Sequence, residues 1–344
     1  MTLRSRWGRT IATLAVGALV ASTVAACGSD EQAAAGADKV RFALDWTPNT
    51  NHLGVFVADE LGYYEDAGID LEIIPFASTG APDLVAAGSA DFGIAGQPEV
   101  QIARSGGKDL VTVYNIHQRE TGRLVTLPSK NIESPKDFDG TVYGGFGVPL
   151  YTSLAREAVK NDGGKGDFTE VSLSTGVYEA LSSGSIDFTM SVATWQDIES
   201  ELDGKPYASF DLNDFGIPDE QTTGIASSDK YLKDNPETAK AFVTATKKGY
   251  QYALDHPKEA ADLLVKANPG VLESASELVQ RSTEVLVTEG YFKKDGVDLG
   301  AAVPERWEEF GQFLVDNELI SDASGKVVTE APDWSEYYTN DYLG

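Results

Sequence analysis

Apolar positions along this chain follow two spacings that take turns. "KVRFAL" (39–44) is a short apolar run of strand type, and Leu53 to Tyr64 then carries Val55, Phe56, Ala58 and Leu61 at helical spacing. "IDLEIIPF" predicts a second strand, with Gly68 ending the helix before it. A short helix opened by proline follows at Pro82 to Ala87, then the strand "DFGIA", a helix over Glu99 to Ser105 and the strand "LVTVYNI". This strand–helix–strand alternation predicts a parallel sheet covered by helices.

"GRLVTLPS" then predicts a strand that crosses to a second body. "SPKDF" has serine at a cap position and proline at the first turn position. A second series repeats the first: strand "GTVYGG", helix Leu150 to Lys160, strand "FTEVSL", helix Val177 to Ser182, then strands "SIDFTMSV" and "YASFDL". "GSADFGIA" in the first series returns as "GSIDFTMS" in the second, each with an aspartate just before a strand. One topology used twice is the expectation. "TTGIASS" predicts the return crossing. Helices follow at Pro236–His256, Lys258–Lys266, Glu273–Val287 and Arg306–Glu318. The aromatic "APDWSEYYTNDYL" is expected to dock on the first body.

The pattern predicts an α/β protein of two lobes joined by two crossing strands, with a ligand cleft between them. Lobe 1 is expected over residues 38–122 and 226–344, and lobe 2 over 123–225. Ligands of open α/β sheets bind beyond the carboxyl ends of the strands. Four loops in that position stand out: Trp46 to His52, Gly96 to Gln101, Gly144 to Tyr151 and Ser191 to Glu199. They offer Trp46, Phe146, Tyr151 and Trp195 for stacking. Asn49, Asn51, His52, Gln97, Glu99 and Glu199 could read polar edges, and Gly147 allows close backbone approach. Each residue also has a structural use. Trp46 and Phe146 could be packing aromatics, Asn49 and Asn51 turn formers, and Glu99 and Glu199 solvated helix positions.

The amino terminus reads as an export signal. Arg4, Arg6 and Arg9 precede the apolar stretch Ile11 to Val20, and "VAAC" follows, so 1–26 is expected to be a signal peptide. The single cysteine, Cys27, falls at the cut, where bacterial lipoproteins carry their lipid. Residues 27–37 would be the lipidated cysteine and a flexible tether. No other cysteine remains for a disulfide or a thiolate metal site. The chain has 27 basic and 54 acidic residues, a formal net charge of −27, which argues against nucleic acid and an anionic membrane surface as partners. No cofactor or metal is expected. "GGFGVP" lacks the third glycine of a dinucleotide loop, "DGGKGD" has no Ser or Thr after its lysine, and His52, His117 and His256 have no metal spacing.

The motifs "LDWTPNTNHLGVFVADELGYYEDAGIDLEI", "IESPKDFDGTVYGGFGVP", "LSSGSIDFTMSVATWQDIE", "DFGIP" and "YYTNDYL" span nearly all of the mature chain. They resemble the substrate-binding lipoproteins of nitrate/sulfonate/taurine and thiamine-pyrimidine-precursor ABC transporters, the pyrimidine branch most closely. The resemblance implies a type II periplasmic binding protein. Such a protein is monomeric, anchored by lipid to the outer face of a bacterial cell membrane, and passes a small molecule to an ABC permease and its ATPase. It also implies ligand contacts at Trp46, Asn49, His52, Gly147, Trp195 and Glu199, around a stacked pyrimidine. Riboflavin and sulfonate or taurine are the alternative ligands, and a two-lobe sensor without transport is an alternative role. The fungal thiamine-pyrimidine synthases share part of the opening motif. That resemblance implies an active-site lysine, a consumed histidine and a cysteine-rich iron motif. "GIAGQPEVQ" holds neither lysine nor histidine, and the cysteines are missing.

Overall fold

The computed structural model describes residues 36–173 and 176–344. The signal peptide over 1–26, Cys27 and the tether up to residue 35 lie outside the described residues. Ten strands occur among the described residues: β1 (Asp38–Ala43), β2 (Ile69–Ile74), β3 (Phe92–Ala95), β4 (Val111–Asn115), β5 (Gly122–Thr126), β6 (Val142–Gly145), β7 (Thr169–Ser172), β8 (Phe188–Val192), β9 (Ala208–Asp211) and β10 (Gly224–Ser227). They form two five-stranded sheets, ordered β2-β1-β3-β10-β4 and β7-β6-β8-β5-β9. The second order repeats the first strand for strand, with β5 in the place of β10.

The alternation alone predicts parallel sheets, but neither sheet is wholly parallel. β1 runs parallel to β2 and β3, but β10 lies antiparallel between β3 and β4. β6 runs parallel to β7 and β8, and β5 lies antiparallel between β8 and β9. The crossings explain this. The chain leaves β4 at a carboxyl edge and enters the other sheet at its corresponding edge, so β5 must run against its neighbours. β9 to β10 makes the reverse crossing. Both connections, 116–121 and 212–223, therefore lie where the parallel strands end.

The repeated aspartate has one job in both sheets. Asp91 Oδ2 accepts from the Arg41 backbone N–H (2.8 Å), and its own N–H donates to Arg41 O (2.9 Å). Asp187 Oδ2 accepts from Val142 N–H (2.9 Å), and its N–H donates to Val142 O (2.8 Å). The carbonyl of each accepts a hydroxyl from the crossing strand, Ser227 onto Asp91 and Thr126 onto Asp187, both at 2.7 Å. Each carboxylate also pairs with a cation, Arg41 or Lys130. The short motif thus locks the first, third and crossing strands of each sheet.

The larger core lies between the first sheet and the carboxyl-terminal helices. The helix predicted over Leu53 to Tyr64 is two helices, Leu53–Glu60 and Tyr63–Asp66, because Gly62 turns left-handed (φ 73°). Leu53–Glu60 crosses the long helix Pro236–Asp255 at Gly54 and Gly249. A methyl group at Gly249 would overlap the Gly54 carbonyl oxygen, so the backbones meet only because neither residue has a side chain. Beside this crossing Phe242 stacks on Phe92 (4.1 Å) and Tyr64 (5.4 Å), and the Tyr64 hydroxyl bonds Thr246 Oγ1 (2.7 Å). The expected Glu273–Val287 helix is a 3-10 turn, Glu273–Ala275, followed by Ser276–Thr288. The aromatic terminus docks on β4: Thr339 N–H donates to Thr112 O (2.8 Å), and Trp334 is buried.

Candidate functional site

The loop after β1 is held from within. Asn49 Oδ1 accepts from Asn51 N–H (2.8 Å) and its Nδ2 donates to Thr47 O (3.0 Å), so this amide caps the 3-10 turn Thr50–His52. His52 Nδ1 accepts from Asn49 N–H (3.3 Å), and Nε2 lies 2.8 Å from Asp45 Oδ1. A ring nitrogen that accepts a backbone N–H carries no proton, so the proton sits on Nε2, which donates a hydrogen bond to Asp45 Oδ1. The Tyr250 hydroxyl donates to Asn51 O (2.6 Å) and ties the loop to the long helix. Two expectations change here. His52 is fully buried with both nitrogens engaged, so it turns no free edge to a ligand. Asn49 spends its side chain on the turn, while the Asn51 side chain is half-buried.

Trp46 is different. It is 43% exposed, and its ring centroid lies 4.9 Å from that of Phe76, which is 42% exposed just beyond β2. Phe76 was not among the expected site residues, although Ser78, Thr79 and Gly80 follow it in the loop after β2. The opposite sheet presents a second aromatic group after β6. Phe146 lies 6.5 Å from Tyr151, edge to face, and 6.0 Å from Tyr178. Gly147 between them is exposed and left-handed (φ 80°), a conformation that glycine adopts freely.

Tyr151 joins the two sides. Burial raises its hydroxyl pKa, and so do the charges of Glu99, Glu220, Glu120 and Asp45, in that order. Asp45 and Glu99 follow strands of the first sheet, Glu120 and Glu220 sit in the two crossings, and Tyr151 follows β6 of the second sheet. These four carboxylates therefore lie near enough to Tyr151 for their charges to act on its hydroxyl. Glu99 Oε2 accepts from Gly96 N–H (3.0 Å). Its side chain is open to solvent yet surrounded by protein, and burial first, then the charge of Asp45, raises its pKa against that bond. Glu120 and Glu220 are both buried, and Glu220 Oε2 has no protein partner. Burial and then the Glu120 charge push Glu220 well above the usual carboxylate range.

The remaining expected residues divide. Gln97 is buried and fully engaged: Oε1 accepts from Gln221 N–H (3.0 Å) and Nε2 donates to Arg306 O (3.0 Å). It pins the return crossing instead of facing the cleft. Trp195 sits in a π-helical turn, Ala193–Asp197, and packs against the core of the first sheet. Thr194 O in that turn accepts from Ser282 Oγ, which also lies 2.6 Å from Thr50 Oγ1, so the β8 loop touches both the β1 loop and the helix Ser276–Thr288. Glu199 is exposed. Burial raises its pKa first, followed by Asp203 and Glu179, and no charge of the Tyr151 group reaches it. Its charge does act on Tyr178, the neighbour of Phe146, and after burial helps to raise that hydroxyl's pKa.

His117 lies in the first crossing, just past β4, and is fully buried. It stacks on Phe292 (5.8 Å), with neither ring nitrogen bonded to protein. A separate cavity of about 350 Å³, lined by Arg119, Asp219, Lys293, Lys294 and Arg306 among others, lies beside the crossings and touches none of the aromatic residues above. Among the described residues no group of three His, Cys, Asp or Glu side chains is placed to hold a metal ion.

The family described as NMT1/THI5 like matches residues 49–260, more than half of the chain. The chain belongs to that family. This NMT1/THI5-like protein is 27% identical over 294 residues to the formylaminopyrimidine-binding protein of Halalkalibacterium halodurans, covering 83% of this chain and 86% of the relative. It is 24% identical over 323 residues to the 4-amino-5-hydroxymethyl-2-methylpyrimidine phosphate synthase of Legionella pneumophila, covering 89% and 92%. Its structure is similar to that of the periplasmic aliphatic sulphonate binding protein SsuA from Escherichia coli. The TM-score is 0.64 at 14% identity, over 86% of this chain and 93% of that one. The NMT1/THI5-like chain thus has the periplasmic binding protein fold: two α/β lobes with the strand ends of each turned to the crossings.

Proposed function

We propose that this protein is the extracytoplasmic substrate-binding component of an ABC importer and takes a thiamine-type pyrimidine precursor between its lobes. One observation carries the reading. Trp46 stands beside Phe76 after strands of the first sheet, Phe146 beside Tyr151 and Tyr178 after strands of the second, and the charges that act on Tyr151 are carboxylates. A flat, amine-bearing ring fits both features: it stacks on aromatic faces and gives hydrogen bonds to carboxylates. A relative named as a formylaminopyrimidine-binding protein supports the same choice. The ligand-contacting set is Trp46, Glu99, Phe146, Gly147 and Tyr151, with Asn51 and Trp195 at its edge, while Asn49, His52 and Gln97 hold the loops. Glu199, whose charge acts on Tyr178, stands at the second-lobe edge of the set.

Lobe 1 comprises 38–122 and 226–344 and lobe 2 comprises 123–225, with strand β10 completing the first sheet. Ligand drives closure to the extent that it binds the closed form more tightly than the open one. Cys27 carries the lipid that holds the protein at the membrane, and the closed lobes dock on the permease. Calorimetry with 4-amino-5-hydroxymethyl-2-methylpyrimidine, riboflavin and taurine tests the ligand. Binding of the pyrimidine tighter than ~1 mM (about −4 kcal/mol) is expected; no heat from the pyrimidine, with binding of taurine, would overturn the reading.

A synthase is the second reading, favoured by the Legionella relative. The loop from β3 into its helix, Gly93–Gln101, presents Gln97 and Glu99 but no lysine or histidine. A receptor needs neither.

A further inference from the structure

We propose that Asp45 is the specificity-determining carboxylate of the cleft, oriented by His52, and that it selects ligands bearing N–H donors over anionic ones. The inference rests on the pyrimidine reading above and names the chemistry that decides it. Asp45 ends the strand run and immediately precedes Trp46, so its carboxylate and the Trp46 ring leave the same strand end. Its side chain is 37% exposed, whereas its partner His52 is wholly buried. The arrangement runs in one direction. Asn49 N–H fixes His52 Nδ1, which leaves the proton on Nε2, and that proton fixes Asp45 Oδ1. Oδ2 is left as an acceptor with no other side chain bonded to it among the described contacts.

A carboxylate on a free side chain would rotate to suit many ligands. One held on a buried imidazole presents its second oxygen in a set direction, beside the stacking face. An amino group or protonated ring nitrogen of a stacked heterocycle meets that oxygen with a charge-assisted hydrogen bond. A phosphate or sulfonate in the same place would meet the Asp45 carboxylate, with Glu99 close enough for the two charges to act on each other. Like charges held close together in a half-buried site repel strongly. His52 acts through Asp45 and is a positioning residue.

The test uses the mature chain, the free 4-amino-5-hydroxymethyl-2-methylpyrimidine, its phosphate, and taurine, with calorimetric affinity and melting temperature measured for each variant. Asp45→Asn keeps the shape and removes the charge. The expected result is a loss of 10-fold or more for the free pyrimidine, and a smaller preference for it over its phosphate. Glutamine can place an N–H where His52 Nε2 is, whereas asparagine cannot reach. His52→Gln is therefore expected to stay within about threefold of the parent and His52→Asn to fall 10-fold. In the Asp45→Asn background His52→Asn is expected to add nothing, an outcome that general loosening of the loop does not produce. If the parent protein binds the free pyrimidine and Asp45→Asn binds it within twofold, this inference is overturned and the pyrimidine reading stands. If the parent binds the phosphate or taurine in preference, both fall.

Discussion

Trp46 and Phe76 hold their ring centroids 4.9 Å apart beyond the ends of the adjacent strands β1 and β2, each more than two-fifths exposed. Exposed aromatic pairs at strand ends add little to folding, since each ring keeps much of its surface in water. Trp46→Ala is therefore expected to leave the melting temperature within about 1 °C. It should weaken a heterocyclic ligand by ~2 kcal/mol, roughly 30-fold, as loss of a stacking anchor does. Phe76→Ala should weaken it less, by about 1 kcal/mol, because Phe76 only backs the Trp46 ring. Calorimetry beside a thermal melt checks both, and an unchanged affinity in Trp46→Ala would remove that residue from the site.

The helix crossing gives the opposite signature. Gly249→Ala forces a methyl group onto the Gly54 carbonyl, and overpacking of this kind costs about 1–3 kcal/mol. Denaturant unfolding should show that loss with an unchanged m-value, and ligand affinity of the folded fraction should hold. Stability equal to the parent would mean that the two helices can part without penalty.

Ser282 joins the Thr50 hydroxyl to the Thr194 carbonyl, and so joins the β1 loop to the β8 loop. Ser282→Ala removes both hydrogen bonds, worth about 1 kcal/mol net. If these contacts belong to the closed form, ligand affinity should fall about fivefold, through faster release. An unaltered off-rate in stopped-flow measurements would show that this contact plays no part in closure.

His117 sets a pH dependence of stability. Burial first, with the nearby His52 also lowering and Asp45 opposing, brings its pKa down to about 3. The unfolded chain takes up a proton on this residue near pH 6.5, and the native protein does not until about pH 3. Below pH 6.5 the unfolded state binds more protons. Stability is therefore fully present above that pH and falls as pH drops towards 3, by at most about 1.4 kcal/mol per pH unit from this group. His117→Phe keeps the stack on Phe292 and removes the titration, so its stability should decline less steeply between pH 6.5 and 4. Parallel curves for the two proteins would contradict the assignment.

Much of this was legible in the sequence, and the limits have physical causes. The duplicated "GS-Asp" motif predicts a duplicated topology, because the aspartate bonds the backbone of the first strand in each sheet, through Arg41 N–H and Val142 N–H. Periodicity could not show that β5 and β10 run antiparallel. A strand's direction depends on which edge the chain enters, and the crossings decide that. Trp46, Tyr151 and Glu99 follow from their positions after strands. Asp45 and Phe76 did not, since a carboxylate just past a strand run and a phenylalanine after a proline look like edge and packing residues until the ends of β1 and β2 are set side by side. His52 and Gln97 were recognised as polar residues at strand ends, but sequence does not tell a polar group that meets a ligand from one that holds a loop. Only their bonded partners, Asp45 and Gln221, make that distinction.

The most direct measurement is a crystal structure of the mature protein grown with 4-amino-5-hydroxymethyl-2-methylpyrimidine. The account predicts the ring between the lobes, stacked on Trp46 and within reach of Tyr151, with an N–H on the free oxygen of Asp45. A pyrimidine seated elsewhere, such as the cavity lined by Arg119 and Lys294, or a cleft that stays empty at millimolar ligand, would contradict it.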